Sequence, residues 1–129
     1  MSTVEVVAAV IVRDGKVFAA QRGYGDYKGW WEFPGGKIES GESHADALCR
    51  ELEEELRIRV EVGDVLCTVE YDYPNFHLIM HCYCCRLLDD FPQLTEHLSA
   101  CWVDKTQLDS LKWLPADIEV IEKLKSRLA

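Results

Sequence analysis

The sequence predicts an α+β fold, an α/β/α sandwich in which a mixed β-sheet lies between helices. β-branched and apolar runs bounded by turn residues recur along the chain, and the first of them is apolar on both faces. Two segments of amphipathic helical spacing stand far apart, one central and one terminal. The 129 residues fit a single domain, 1–129, large enough to bury roughly two-thirds of the unfolded chain's surface.

Residues 4–12 are β-branched and apolar without alternation, as in a central strand buried on both sides, and Asp14-Gly15 signals a hairpin into a second strand at 17–21. "GYGDYKGWWEFPGG" is too rich in glycine and aromatics for a regular element and reads as a shaped loop. Its end, Pro34-Gly35-Gly36, allows unusual dihedrals. Ser43 followed by Asp46 resembles a capping box, and good helix formers run from 44 to about 57. Residues 58–71 read as one or two strands broken near Gly63-Asp64, residues 76–87 as another, with "YDYPN" as the turn. After the connection "DDFPQLTEH" a short strand at 99–103 leads into a brief helix that Asp104 caps, with Gln107 at its third position. Ile118, Ile121, Leu124 and Leu128 space one face of a terminal helix beginning after Pro115.

The formal charge of −9, from 23 acidic against 14 basic residues, argues against polymeric nucleic acid or an anionic membrane as partner. A small anion would need a cation to accompany it. The six cysteines are even in number, but "MSTVEVVAAVIV" lacks a basic start and carries Glu5 within its apolar run, so reduced thiols and a cytoplasmic location are expected. No apolar run approaches the roughly 18 residues of a membrane span.

The segment "GGKIESGESHADALCRELEEELRI" concentrates acids in a chain that is already acidic. At about 100° per residue Glu51, Glu54 and Glu55 share one helix face beside an apolar stripe of Leu48, Leu52 and Leu56, while Glu53 points elsewhere. Like charges at i,i+4 cost a few tenths of a kcal/mol per pair when exposed, and more when packing removes their water. Hard divalent cations offset such a cost by taking oxygen ligands. Mg²⁺ in particular leaves positions for water and substrate phosphate, with Mn²⁺ a second candidate. Most Glu-rich helices are simply solvated on that face. Here Gly35-Gly36 permits close backbone approach, Glu42 adds an acid, and Arg50 adds a cation able to orient Glu51.

This segment resembles the signature of the Nudix hydrolase superfamily: glycine, five residues, Glu, seven residues, Arg-Glu, an aliphatic, any residue, Glu-Glu, any residue, glycine and an aliphatic. Eight of the nine specified positions are filled, by Gly36, Glu42, Arg50, Glu51, Leu52, Glu54, Glu55 and Ile58. Chance would do this with a probability on the order of 10⁻⁸. The departure is Arg57, standing where the family has a glycine that ends the helix in the left-handed conformation. For Arg that conformation costs roughly 1 kcal/mol or more.

The resemblance implies a Nudix-type sandwich and hydrolysis of a nucleoside diphosphate linked to another group. It implies Glu51, Glu54, Glu55 and the Gly35 carbonyl as metal ligands, and Glu51 or Glu54 as acceptor of the water proton. It is closest to MutT-like nucleoside triphosphate pyrophosphohydrolases, which release the monophosphate and diphosphate. That similarity implies Arg22 in "AQR" as a phosphate contact, Phe33 in "WEFPGG" beside the nucleobase, Tyr73 in "EYDYP" as an aromatic wall, and Glu96 as a further metal ligand. "LPADIEVIEKL" puts Asp117 over the base, in a form like that of the CTP pyrophosphohydrolase branch. An ionised Asp only accepts hydrogen bonds, suiting the cytosine amine or the guanine N1 and N2 edge and disfavouring uracil. CTP or dCTP, or oxidised or methylated deoxynucleotides, are the expected substrates of a monomer or homodimer. A nucleotide sugar or dinucleoside polyphosphate hydrolase, and a non-catalytic nucleotide-binding module, are the alternatives.

"HLIMHCYCCR" holds zinc-type ligands, but strand alternation puts His77, His81, Tyr83 and Cys85 on one side and Leu78, Met80, Cys82 and Cys84 on the other. A buried strand with small thiols is the better reading, although His81 could still approach the substrate. Trp30-Trp31 with Tyr24 and Tyr27 suit core packing and base stacking equally. Cys49 lacks an evident base and reads as structural.

Overall fold

The computed structural model describes residues 2–89 and 92–128. Its strands are β1 (Ser2–Arg13), β2 (Lys16–Gln21), β3 (Trp31–Glu32), β4 (Gly35–Lys37), β5 (Val60–Tyr73), β6 (Phe76–Leu87) and β7 (Ser99–Asp104), and its α-helices are α1 (His44–Leu56) and α2 (Ile118–Lys125). The seven strands form one mixed sheet in the order β3-β2-β1-β6-β5, with β4 paired to β1 and β7 to β2. β1 is the hub. It runs parallel to β6, with Val7 opposite His81, and antiparallel to β4, with Val7 opposite Gly36.

The unalternated apolar run of β1 is explained by a core on each face. Ala8 and Val10 pack with Met80, Cys82 and Val69 under α2, whereas Val7, Ala9 and Ile11 pack with Leu48, Leu52 and Leu56 of α1. The sandwich is therefore α/β/α, as the sequence predicts. The faces of β6 also follow the expected alternation, with Leu78, Met80, Cys82 and Cys84 on the α2 side and Tyr83 and Cys85 on the α1 side.

Ser43 caps α1 by accepting the Asp46 N–H at 3.1 Å. At the other end Arg57 adopts the left-handed conformation, φ 55° and ψ 38°, and its N–H donates to Glu53 O at 3.0 Å. The helix thus ends as a glycine would end it, with the strain accepted. Asp104 caps a 3-10 helix, Lys105–Ser110, in a full capping box with Gln107.

Four expectations are corrected. β5 is not broken at Gly63-Asp64: register shifts between Val62, Val65 and Cys67 absorb the irregularity as a bulge within one strand. The turn is only Pro74-Asn75, because Tyr71 and Tyr73 pair with Leu78 and Phe76. The glycine-rich segment contains β3 and β4, whose partners are the distant strands β2 and β1. The terminal helix opens with a 3-10 turn, Pro115–Asp117, and its buried face is Val120, Ile121, Leu124 and Leu128. Ile118 is 48% exposed, lying about 100° from the middle of that face. In the connection "DDFPQLTEH", Asp90 and Phe91 lie outside the described residues.

Candidate active site

The acidic face of α1 looks onto β4 at the edge of β1. Gly36 leaves room for the Glu51 carboxyl, since a Cβ there would stand 2.4 Å from the carboxyl carbon and force that side chain to move. Arg50 grips Glu42 with two charge-assisted hydrogen bonds of 2.8 and 2.9 Å, and donates to Glu51 at 3.0 Å, to Glu54 at 3.3 Å and to the Lys37 carbonyl at 3.0 Å. It is thus an orienting cation for Glu42, Glu51 and Glu54.

Glu96 reaches the same place from the connection before β7. Thr95 Oγ1 donates to Glu55 O at 2.7 Å and the Gln93 N–H to Leu56 O at 2.7 Å, so this segment satisfies carbonyls that the last turn of α1 leaves open. A Cβ on Gly23 would lie 1.9 Å from Glu96 O, which presses the Glu96 backbone against the end of β2. Gly35, Glu51, Glu54, Glu55 and Glu96 line one cavity of about 830 Å³, together with Arg22 and Tyr24.

Electrostatic crowding there is severe. Burial, and then the carboxylates of Glu51, Glu32 and Glu96, push Glu55 up to about 9. These acids do not gather three ligand atoms within 4.8 Å of one another, and Glu54, largely exposed, turns towards Arg50. The donor set is nevertheless all oxygen, and a carboxyl that must hold a proton when no cation is near fits a hard divalent ion.

Beyond Gly35 and Gly36 the cleft continues into a cavity of about 150 Å³ lined by Arg22, Phe33, Tyr73, Phe76, Met80 and Asp117. Phe33 is buried with one face stacked on Trp113 at 4.9 Å. Tyr73 stacks on Phe76 at 5.1 Å, and its hydroxyl accepts the Ala116 N–H at 3.2 Å, which ties β5 to the start of the terminal helix. Asp117 is 3% exposed, and its Oδ1 has no partner within the protein. Burial, reinforced by Glu32 and opposed by Arg22, raises its pKa well above its ordinary value. The expectation of an ionised, acceptor-only Asp117 is therefore corrected: this environment favours the neutral acid.

His81 lines neither cavity of the cleft, because it lies on the opposite face of β6 from Leu78 and Met80 and turns to Glu5. Among the aromatics, Trp31 packs against the core, whereas Trp30 meets the Tyr27 ring edge-on at 4.9 Å and carries Lys112 Nζ 4.2 Å over its own ring. Three site residues were not foreseen from sequence. Glu32 ion-pairs with Arg22 at 3.4 Å and bonds the buried His97 Nε2 at 3.0 Å, and Phe76 lines both cavities. The alternation of "WEF", Glu32 opposite in phase to Phe33, was the available signal for Glu32.

Fold and cleft suit one class of protein, a hydrolase that cleaves phosphate anhydrides with a divalent cation. The NUDIX domain family matches residues 2–124, and the chain belongs to that family of hydrolases, which use a divalent metal and act on nucleotide substrates. A CTP pyrophosphohydrolase of Escherichia coli (strain K12) is 37% identical over 123 residues, 95% of this chain and 91% of that protein. An 8-oxo-dGTP diphosphatase of Proteus vulgaris is 39% identical over 101 residues, 75% of this chain and 88% of the relative. The crystal structure of a MutT NUDIX hydrolase from Burkholderia pseudomallei superposes with a TM-score of 0.85 at 30% identity, covering 96% of this chain and 99% of the other. No helix among the described residues is long and apolar enough to cross a membrane.

Proposed function

We propose that this hydrolase is a Mg²⁺-dependent nucleoside triphosphate pyrophosphohydrolase, converting a (deoxy)nucleoside triphosphate and water to the monophosphate and diphosphate, with cytidine nucleotides preferred. The observation that carries the reading is a single continuous cleft: the acidic and the apolar cavities share Val6, Arg22, Gly35, Gly36, Phe76 and Leu78. One end suits a charged phosphate tail, and the other suits a flat base.

In this reading Glu51, Glu54, Glu55, Glu96 and the Gly35 carbonyl hold the metal, with Mn²⁺ able to substitute. Bound there, the cation supplies charge screening and a lowered pKa for the attacking water. Arg50 positions Glu51 and Glu54, one of which accepts the water proton. Arg22, at the junction of the two cavities, contacts the phosphates. Phe33 and Tyr73 wall the base, and Asp117 reads its edge. A neutral Asp117 offers one donor and one acceptor, matching cytosine N3 and the N4 amine, whereas the guanine N1–H and N2–H pair calls for two acceptors. The same neutral acid no longer rejects uracil, so the preference for cytidine draws its support from likeness to the CTP pyrophosphohydrolase.

Diphosphate release from each canonical, oxidised and methylated nucleoside triphosphate, with and without Mg²⁺, tests this. Glu54→Gln should abolish most turnover with the fold intact, and an unchanged rate would remove Glu54 from the metal site. Binding without turnover would make the chain a nucleotide-binding module. Activity confined to nucleotide sugars or dinucleoside polyphosphates would reassign the substrate.

A further inference from the structure

Away from the cleft, Glu5 of β1, His44 at the first position of α1 and His81 of β6 converge on the α1 side of the sheet. Each offers one ligand atom, and the three atoms lie within 4.8 Å of one another, the one such set among the described residues. None of the three lines either cavity of the cleft. We propose that they form a second metal site for a Zn²⁺-class ion, separate from the oxygen-lined site.

The donor chemistry points to zinc. Two imidazoles and a carboxylate, with water in the fourth position, form a three-ligand set that zinc adopts, and imidazole nitrogen selects transition ions over Mg²⁺. The rings are also held as ligands are held. His44 Nδ1 lies 2.7 Å from the Tyr83 hydroxyl, which leaves its Nε2 for an ion, and His81 Nδ1 lies 3.3 Å from Thr68 Oγ1, with its Nε2 turned to the Glu5 carboxylate. The two rings lie 4.3 Å apart at 31°, and His81 Nε2 sits 2.6 Å from Glu5 Oε2. Regular elements fix this geometry, with Glu5 and His81 on paired parallel strands.

Around a tetrahedral ion ligand atoms stand roughly 3.3 Å apart. The Glu5–His81 hydrogen bond therefore opens by under about 1 Å as the ion takes the place of the Nε2 proton, which the neutral ring carries instead on Nδ1, beside Thr68 Oγ1. The N-terminus of α1 carries about half a positive charge and opposes a cation, and the Glu5 carboxylate offsets it. Without an ion the same residues make an ordinary His–Glu pair with a stacked ring, and that is the competing account.

Co²⁺, as a coloured substitute for Zn²⁺, is titrated into the intact metal-free protein in excess Mg²⁺. Zn²⁺ calorimetry follows. The expected result is one Co²⁺ per chain with the strong visible bands of four-coordinate cobalt, no sulfur-to-metal charge transfer, and displacement by Zn²⁺. His44→Ala and His81→Ala should lose the bands. Glu5→Gln, at a half-exposed side chain, keeps the fold testable and should weaken Zn²⁺ binding roughly tenfold or more, and Tyr83→Phe roughly 10–100-fold. A weak six-coordinate spectrum alone, a thiolate charge-transfer band, or histidine variants that titrate like the parent would each overturn the site.

Discussion

Replacing Asp117 separates two accounts of base recognition. Its buried carboxyl has one unpartnered oxygen and a raised pKa, so it meets the base as a neutral acid with one donor and one acceptor. Asn presents the same pair in the same shape, so Asp117→Asn should hold kcat/KM for cytidine triphosphate within about threefold. Leu fills similar space but pairs with nothing. Two buried hydrogen bonds at about 1–1.5 kcal/mol each amount to about 2–3 kcal/mol, so Asp117→Leu should lower kcat/KM roughly 30–150-fold. The change should fall on KM, since the acidic cavity is untouched. The pH dependence follows from the direction of the shift. An acid with a raised folded pKa stays neutral through the usual carboxylate range, so parental kcat/KM should be flat there and decline only as pH rises through the raised pKa. Asp117→Asn should lack that decline. Steady-state diphosphate release across pH measures both effects. A loss above about tenfold in Asp117→Asn, matching that of Leu, would mean that the carboxyl binds as an anion and that burial does not govern its charge.

Three further outcomes follow from the geometry. In the metal-free protein Glu55 titrates at about 9 against 4.5, so the folded state holds a proton that the unfolded chain releases, and stability falls as pH rises between those values. Glu55→Gln should remove that slope, gaining at most about 3 kcal/mol at neutral pH; urea titrations in chelator at about pH 5 and pH 8 that stay parallel for both proteins would contradict it. Gly36→Ala pushes a Cβ into the Glu51 carboxyl, the movable end of a side chain, so turnover should drop roughly 100-fold while the unfolding midpoint barely shifts. A retained rate would show that Glu51 need not be held there. Arg57→Gly should relieve roughly 1–2 kcal/mol of left-handed strain against about 0.5–1 kcal/mol of added unfolded-state entropy, raising the thermal midpoint by roughly 2–4 °C with activity unchanged. A lowered midpoint would mean that Arg57 contributes more than its conformation costs.

What the sequence determined by itself was local. Helical phase alone sets Glu51, Glu54 and Glu55 on one face above Leu48, Leu52 and Leu56, and the caps at Ser43 and Asp104 depend on residues within one turn. The two-faced burial of β1 was legible because an apolar run without alternation has no other stable place in a sheet. The tertiary structure decided what depends on remote partners. β3 and β4 exist because β2 and β1 accept their hydrogen bonds, and Glu96 reaches the cleft because its segment docks on the end of α1. The neutrality of Asp117 and the meeting of Glu5 with His81, 76 positions away, are likewise beyond local reading. Residue type and spacing fix the chemistry that each side chain has to offer, whereas dielectric and neighbours are properties of packing, and these set its charge and its partner.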